Sequence, residues 1–333
     1  MPTLDSSGDR LTARRAITPV VLLVIAAFCF ILPLIKDTIV LTGTAVIMYV
    51  IMAVSWTIFS GPTGYVSLAT AAFFGLGVYA SALFSSLRLP LPVLMLMGGA
   101  AAFIIAVIMG AITLRLRGVY FTIFTFGLVE LLKNLILWIE IRATGRRGRI
   151  VPSEKPDVVY YYLLGLTVIL IIVAYIIKRS RFGKALVSIG ESEDAAAHIG
   201  VNTTFVKIIA FAISSFFMGA VGAAMATRWA YIDSYIAFDT LNAFLPVLMV
   251  IFGGMKKLAG PVIGAAVFAF LREMLIVNFS SYYLISIGVI MVVAILCMPE
   301  GLIGLGQSVK DRLIAGSGIK VNGGDKGAGH ADT

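Results

Sequence analysis

The chain has 333 residues, of which 60% are hydrophobic and 13% charged. Soluble globular chains are about half apolar and roughly a quarter charged. The composition therefore excludes a soluble enzyme, a secreted disulfide scaffold and a disordered regulator, and points to a polytopic membrane protein. The net charge of +9 fits the habit of cytoplasmic loops to collect Lys and Arg, and nucleic acid is not an expected partner.

An apolar helix of about 20 residues crosses the hydrocarbon core. In chain order the candidate spans are 18–35, 39–59, 67–84, 92–114, 120–138, 158–177, 208–229, 241–252, 261–279 and 283–298. The expected fold is an all-α polytopic helical bundle of about ten spans. The eighth candidate is short, ends in Gly253-Gly254, and reads as crossing, broken or re-entrant. The first follows Arg10, Arg14 and Arg15 and has no small-x-small cleavage site after it, so it reads as an uncleaved anchor. The domain organisation is a cytoplasmic segment 1–16, a transmembrane domain 17–303 and a Gly-rich polar tail 304–333 that cannot bury a core. With both termini in the cytoplasm, cations on that side outnumber those outside by roughly two to one. The outer 142–155 loop opposes this orientation, since it carries Arg142, Arg146, Arg147, Arg149 and Lys155. Cys29 and Cys297 both sit in apolar runs, so no disulfide framework is expected.

Signatures of chemistry are missing. No Gly-x4-Gly-Lys-[Ser/Thr] loop occurs. Phe182-Gly183-Lys184-Ala185 lacks both its upstream glycine and its hydroxyl. The histidines are His198 and His330 alone, without a metal-ligand spacing. The chain is thus not expected to be an enzyme or to hold a cofactor of its own.

Three stretches carry information. In 61–79, Gly61, Pro62 and Gly64 interrupt the apolar pattern before Ser67, Thr70 and Phe73, and Gly75 and Gly77 then remove bulk. Broken helices expose backbone to a cavity, whereas membrane glycines also serve plain helix packing. In 114–133, Arg115 and Arg117 mark a boundary. Glu130 and Lys133 then lie three apart on one helix face and can pair. Charge at that depth faces protein or water, so the pair reads either as part of a gate or as structural. Arg272 and Glu273 are adjacent, point in different directions, and read as structural. In the long loop 178–205, Ser192 caps a short helix. Glu193 and Asp194 suit its positive end, Ala195–Ala197 favour it, and Gly200 stops it. Ala196 and Ile199 share a face that could dock on a partner. The same stretch also reads as an ordinary solvated loop with one helical turn.

Asp194-Ala195-Ala196-x3-Gly200 resembles the Glu-Ala-Ala-x3-Gly coupling motif of ABC importer permeases, with Asp in place of Glu. Together with Ser180-Arg181-Phe182-Gly183-Lys184-Ala185-Leu186 and Gly200-Val201-Asn202, the stretch resembles permeases of branched-chain amino acid ABC transporters, of the LivM type. Residues 61–79, Leu114-Arg115-Leu116-Arg117-Gly118-x-Tyr120, 248–265 and 298–304 are similar to the same family in the same order. Pro62, Tyr65, Ala69 and Thr70 depart from it. The resemblance implies a transport subunit coupled through Arg181, Phe182, Gly183, Glu193, Asp194, Ala195, Ala196 and Gly200 to two separate ATPase subunits that hold the ATP. It also implies a second permease of the LivH type, a periplasmic substrate-binding protein, and residence in the bacterial inner membrane among lipid. The implied cargo is branched-chain or related hydrophobic amino acids. Urea or short amides are the same-family alternative, and a self-sufficient secondary transporter or channel using Glu130 and Lys133 is the alternative outside it. Ser67, Thr70, Phe73, Gly75, Gly77, Glu130 and Lys133 are the candidate pathway or gate residues.

Overall fold

The computed structural model describes residues 37–87, 89–229, 231–255, 259–279 and 282–297. The candidate span 18–35, the 1–16 segment and the 304–333 tail lie outside them. Helix α1 (Asp37–Thr63) has 27 residues, enough for about 40 Å. It is followed by α2 (Thr70–Phe84), α3 (Leu91–Thr113), α4 (Val119–Thr144) and α5 (Pro156–Arg179). Two short helices come next, α6 (Arg181–Glu191) and α7 (Glu193–His198). The chain continues through α8 (Thr203–Ala226), the single turn α9 (Ser234–Ala237), α10 (Leu241–Gly253), α11 (Ala259–Asn278) and α12 (Tyr283–Cys297).

The fold is an all-α membrane bundle. Among the described residues seven helices are long and apolar enough to cross a membrane, with α9 and α10 joined as one. The shortfall from ten has local causes. The first candidate is outside the described residues, α2 is shortened by the break before it, and α12 has 15 residues.

Small residues set the closest packing. Gly98, Ala102, Ala106 and Gly110 recur every fourth residue along α3 and are all buried, which lets two backbones approach. A Cβ on Gly77 of α2 would lie 1.9 Å from the Gly219 carbonyl oxygen of α8, and a Cβ on Gly219 would lie 2.5 Å from the Gly98 oxygen. Helices α2, α3 and α8 therefore meet glycine to glycine, where each side chain would overlap its neighbour's backbone. Helix α1 fills the middle of the bundle, with Ile51, Met52, Ala53 and Val54 wholly buried.

The connections gather at two ends. At one end, the loops after α1 and α3 meet α7 and the start of α8. At the other, strands β1 (Arg149–Ile150) and β2 (Tyr231–Ile232) pair antiparallel, Arg149 opposite Ile232. Here the Arg149 guanidinium lies 3.5 Å from Glu140, whose side chain is 2% exposed. The Tyr79 hydroxyl donates to the same carboxylate at 3.2 Å. One cation of the basic 142–155 loop thus serves a buried carboxylate.

Candidate functional site

The break between α1 and α2 is the first part of the site. Helix α1 runs through Gly61 and Pro62 and stops only at Gly64, whose φ of 73° needs a residue without a side chain. Residues 64–69 are irregular within a helical bundle, so their backbone groups need partners. Side chains of neighbouring helices supply them. Trp56 Nε1 donates to the Ser67 carbonyl at 2.7 Å, Thr122 Oγ1 donates to the Val66 carbonyl at 2.8 Å, and Thr125 Oγ1 accepts from the Leu68 amide at 3.1 Å. At the start of α2, Thr70 Oγ1 reaches the carbonyls of Asn242 and Ala243 on α10 at 2.7 and 3.1 Å. Thr70 thereby ties the break to the second half of the chain.

The second part is a polar knot below the break. Lys207 lies in the second turn of α8 and its side chain is 2% exposed. Its ammonium donates to Glu193 Oε1 at 2.5 Å, to the Leu114 carbonyl at 3.1 Å and to the Tyr65 hydroxyl at 3.4 Å. The Tyr65 hydroxyl donates to Glu193 Oε2 at 2.6 Å. Arg117 sits 3.8 Å from Glu193 and 3.0 Å from Asp194. Three segments thus converge on Glu193 of α7: the break, the α3–α4 loop and α8. Burial by itself pushes the Glu193 carboxyl up. The donated hydrogen bonds of Lys207 and Tyr65 and the charges of Lys207 and Arg117 outweigh it and hold the group below its ordinary value. The Arg117 hydrogen bond likewise holds Asp194 below the usual range.

The third part is a helical hairpin, α6 and α7. The sequence pointed to one short helix here, and the structure has two. Ser180 caps α6 by accepting from the Gly183 amide at 3.1 Å, and Gly183, Leu186 and Ile189 form its buried stripe. Ser192 caps α7 by accepting from the Ala195 amide at 3.3 Å. At the far end of α7 the Val201 amide donates to the Ala196 carbonyl and Gly200 takes φ 89°, the left-handed stop seen at many helix ends. Ala196 and Ile199 do not present one docking face. Ala196 is 1% exposed and faces its own chain, while Ile199 is 74% exposed. Arg181, Asp194 and Ala195 are exposed, Phe182 and Glu193 half-buried, and Gly183 buried. Phe205, 60% exposed, adds apolar surface on the first turn of α8.

The remaining sequence candidates separate. Ser67, Thr70 and Phe73 line one small void of about 10 Å³ with Trp56, Phe59 and Phe211, room for about one water. Aromatic rings close this level, since Phe211 meets both Phe59 and Phe73 at 5.2 Å between centroids. Gly75 and Gly77 sit in close packing contacts. The Phe238 ring covers Gly75, and Gly77 is the α2–α8 contact described above. Glu130 and Lys133 pair at 2.6 Å on α4, with Lys133 beneath the Tyr235 ring at 5.6 Å. Sequence reasoning missed Lys207, Tyr65 and Arg117 as a set. The one available signal was a lysine at the mouth of an apolar span, which also describes ordinary snorkelling.

Residues 38–295 match the family model described as branched-chain amino acid transport system / permease component. The chain belongs to this family. Two similar relatives are the high-affinity branched-chain amino acid transport system permease proteins LivM of Escherichia coli (strain K12) and Salmonella typhimurium. Each is 26% identical, over 91% of this chain and 77% of the former, and over 78% of this chain and 69% of the latter. The ribose import permease protein RbsC of Haemophilus influenzae is 27% identical over 40% of this chain and 46% of its own length. No solved structure matches. The protein is accordingly a multi-pass integral membrane permease subunit and not an enzyme.

Proposed function

We propose that this permease subunit works in an ABC importer for branched-chain or related hydrophobic amino acids. The α6–α7 hairpin is the handle by which a separate ATPase moves the break between α1 and α2. The observation that carries this reading is the convergence of Tyr65, Lys207 and Arg117 on Glu193. A push on α7 reaches residues 64–69 through side chains that touch, and rigid elements joined in this way transmit displacement. Ile199 and Phe205 give the push an apolar surface to act on. Arg181, Phe182 and Gly183 seat the base of the handle, and Asp194, Ala195 and Gly200 form its tip.

In this reading ATP sits on two partner subunits, a second permease related to this chain completes the pathway, and a periplasmic binding protein delivers the cargo. The hairpin end faces the cytoplasm of a bacterial cell, with both termini on that side of the inner membrane. Segment 1–16 and tail 304–333 flank the transmembrane domain. The void at Ser67, Thr70 and Phe73 is the closed middle of the path. A gradient-driven mechanism through Glu130 and Lys133 has less support, because the two charges neutralise each other at 2.6 Å.

Vesicle reconstitution tests the reading. Leucine uptake that needs ATP and both ATPase subunits supports it. Gradient-driven uptake by this chain alone, or uptake of urea in place of leucine, overturns it.

A further inference from the structure

At the end opposite the hairpin, helices α1, α8, α10 and α11 diverge around a cavity of about 420 Å³. Sites for small molecules commonly measure ~300–1,000 Å³. Tyr49 and Asn242 lie at its floor, where the Tyr49 hydroxyl donates to Asn242 Oδ1 at 3.0 Å. Beneath that floor Thr70 holds the Asn242 carbonyl at 2.7 Å. The cavity therefore lies one hydrogen bond away from the residue that begins α2 after the break. On α1, Tyr49 precedes Phe59 of the closed middle by about 15 Å of helix.

Four charged side chains line this cavity: Arg228, Asp239, Arg272 and Glu273. Arg272 and Glu273 were expected to diverge along α11, and both border the same space. None of the four forms an ion pair within 4.0 Å among the described residues. The Arg272 guanidinium stacks 5.4 Å above the Tyr49 ring, and its Nε is shielded from water without a hydrogen-bond partner. Among the described residues the Asp239 carboxylate accepts from the Leu241 amide, at 3.0 Å, and from no cation. Elsewhere the chain closes such charges on each other, as Lys133 does on Glu130 and Lys207 on Glu193. Opposite charges facing a cleft of low dielectric attract by several kcal/mol. Two cations and two anions that line one cavity without pairing within 4.0 Å leave room for a ligand that carries both signs. The rest of the wall includes apolar Met48, Met225 and Trp229.

We propose that this cavity binds the zwitterion of an apolar α-amino acid. Arg228 and Arg272 face its carboxylate, Asp239 and Glu273 face its ammonium, and Met48, Met225 and Trp229 receive its side chain. The proposal rests on the import reading and gives it a site at the mouth of the path. A neutral sugar or amide has no use for either pair of charges. A simple anion or cation is repelled by one of them.

Binding of tritiated leucine to the full chain in detergent is the test. The competitors are leucinamide, which lacks the carboxylate, and 4-methylpentanoate, which lacks the ammonium. Each competes at least about tenfold less well than leucine, since each forfeits a charge-assisted contact. Arg272→Gln weakens leucine binding about tenfold and narrows the gap to leucinamide, Arg272→Lys retains most of the affinity, and Asp239→Asn narrows the gap to 4-methylpentanoate. Equal competition by all three compounds, unchanged binding in Arg272→Gln and Asp239→Asn, or no leucine binding at millimolar concentration overturns the site. Uptake by the complete transporter separates the two claims. Unaltered leucine uptake in both variants removes the site and leaves the import reading standing. A wild-type complex that imports no leucine removes the reading itself.

Discussion

Replacing Lys207 with Met tests the knot at its centre. Methionine keeps most of the length of the side chain and removes the ammonium. Glu193 then loses its donor at 2.5 Å, and the Leu114 carbonyl loses one at 3.1 Å. Removing one partner of a buried pair costs about 3–5 kcal/mol. Glu193 keeps the Tyr65 hydroxyl at 2.6 Å, and its side chain is 16% exposed, so water and Arg117 recover part of that loss. The expected destabilisation is about 2 kcal/mol. Glu193→Gln alone costs a similar amount, because it strands the Lys207 ammonium. The double variant then loses less than the two single losses together, with a coupling energy of about 1–2 kcal/mol. Equilibrium unfolding in mixed micelles measures stability, and ATP-driven uptake in vesicles measures coupling. Lys207→Met retains assembly with the ATPase but loses most uptake. A coupling energy near zero, or full uptake in a variant without the ammonium, refutes the reasoning.

The other expectations concern packing, the intramembrane pair and pH. Gly77→Leu abolishes the folded chain, since its Cβ alone overlaps the Gly219 carbonyl, whereas Gly127→Ala, with nothing within 4 Å of the new carbon, is neutral or stabilising by about 0.5–1 kcal/mol; detergent melting curves read both. Glu130→Gln leaves the uptake rate within about two-fold, because Lys133 already neutralises Glu130 at 2.6 Å and the pair serves structure, and a near-total loss of uptake assigns the pair to the path instead. Glu193 and Asp194 both titrate below their unfolded values, so their contribution is full above about pH 4.3 and disappears as pH falls through the lower folded values. Unfolding followed from pH 7 down to 3 therefore stays level to about pH 4.5 and then drops, and Glu193→Gln flattens the drop.

Much of the bundle was legible because lipid imposes one rule on every span. A continuous apolar run of about 20 residues reads as a helix, since a helix alone satisfies its backbone within one segment in hydrocarbon. The stretches 92–114 and 241–252 accordingly coincide with α3 and α10 to within a residue at each end. Helix α6 was missed because its stripe of Gly183, Leu186 and Ile189 is short and broken by polar residues, so no apolar run announces it. Gly75 and Gly77 looked like cavity glycines because sequence cannot tell a glycine that opens space from one that lets two backbones touch. Ala196 misled for a related reason. Helical spacing gives which residues share a face, and only the fold says whether that face turns inward. The knot itself was hidden by distance along the chain, since Tyr65 and Glu193 lie 128 residues apart and Lys207 resembles any cation at a membrane boundary.

The central claim is that Ile199 and its hairpin lie in the cytoplasm against a nucleotide-hydrolysing partner. Site-specific crosslinking from Ile199→Cys reads this directly, in a chain whose Cys29 and Cys297 are replaced by Ala and which is assembled with its ATPase subunits. The expected result is a covalent adduct with the ATPase whose yield changes between the ATP-bound and nucleotide-free states. Labelling of the same cysteine in intact spheroplasts by a membrane-impermeant maleimide, with no adduct in either state, would contradict the account.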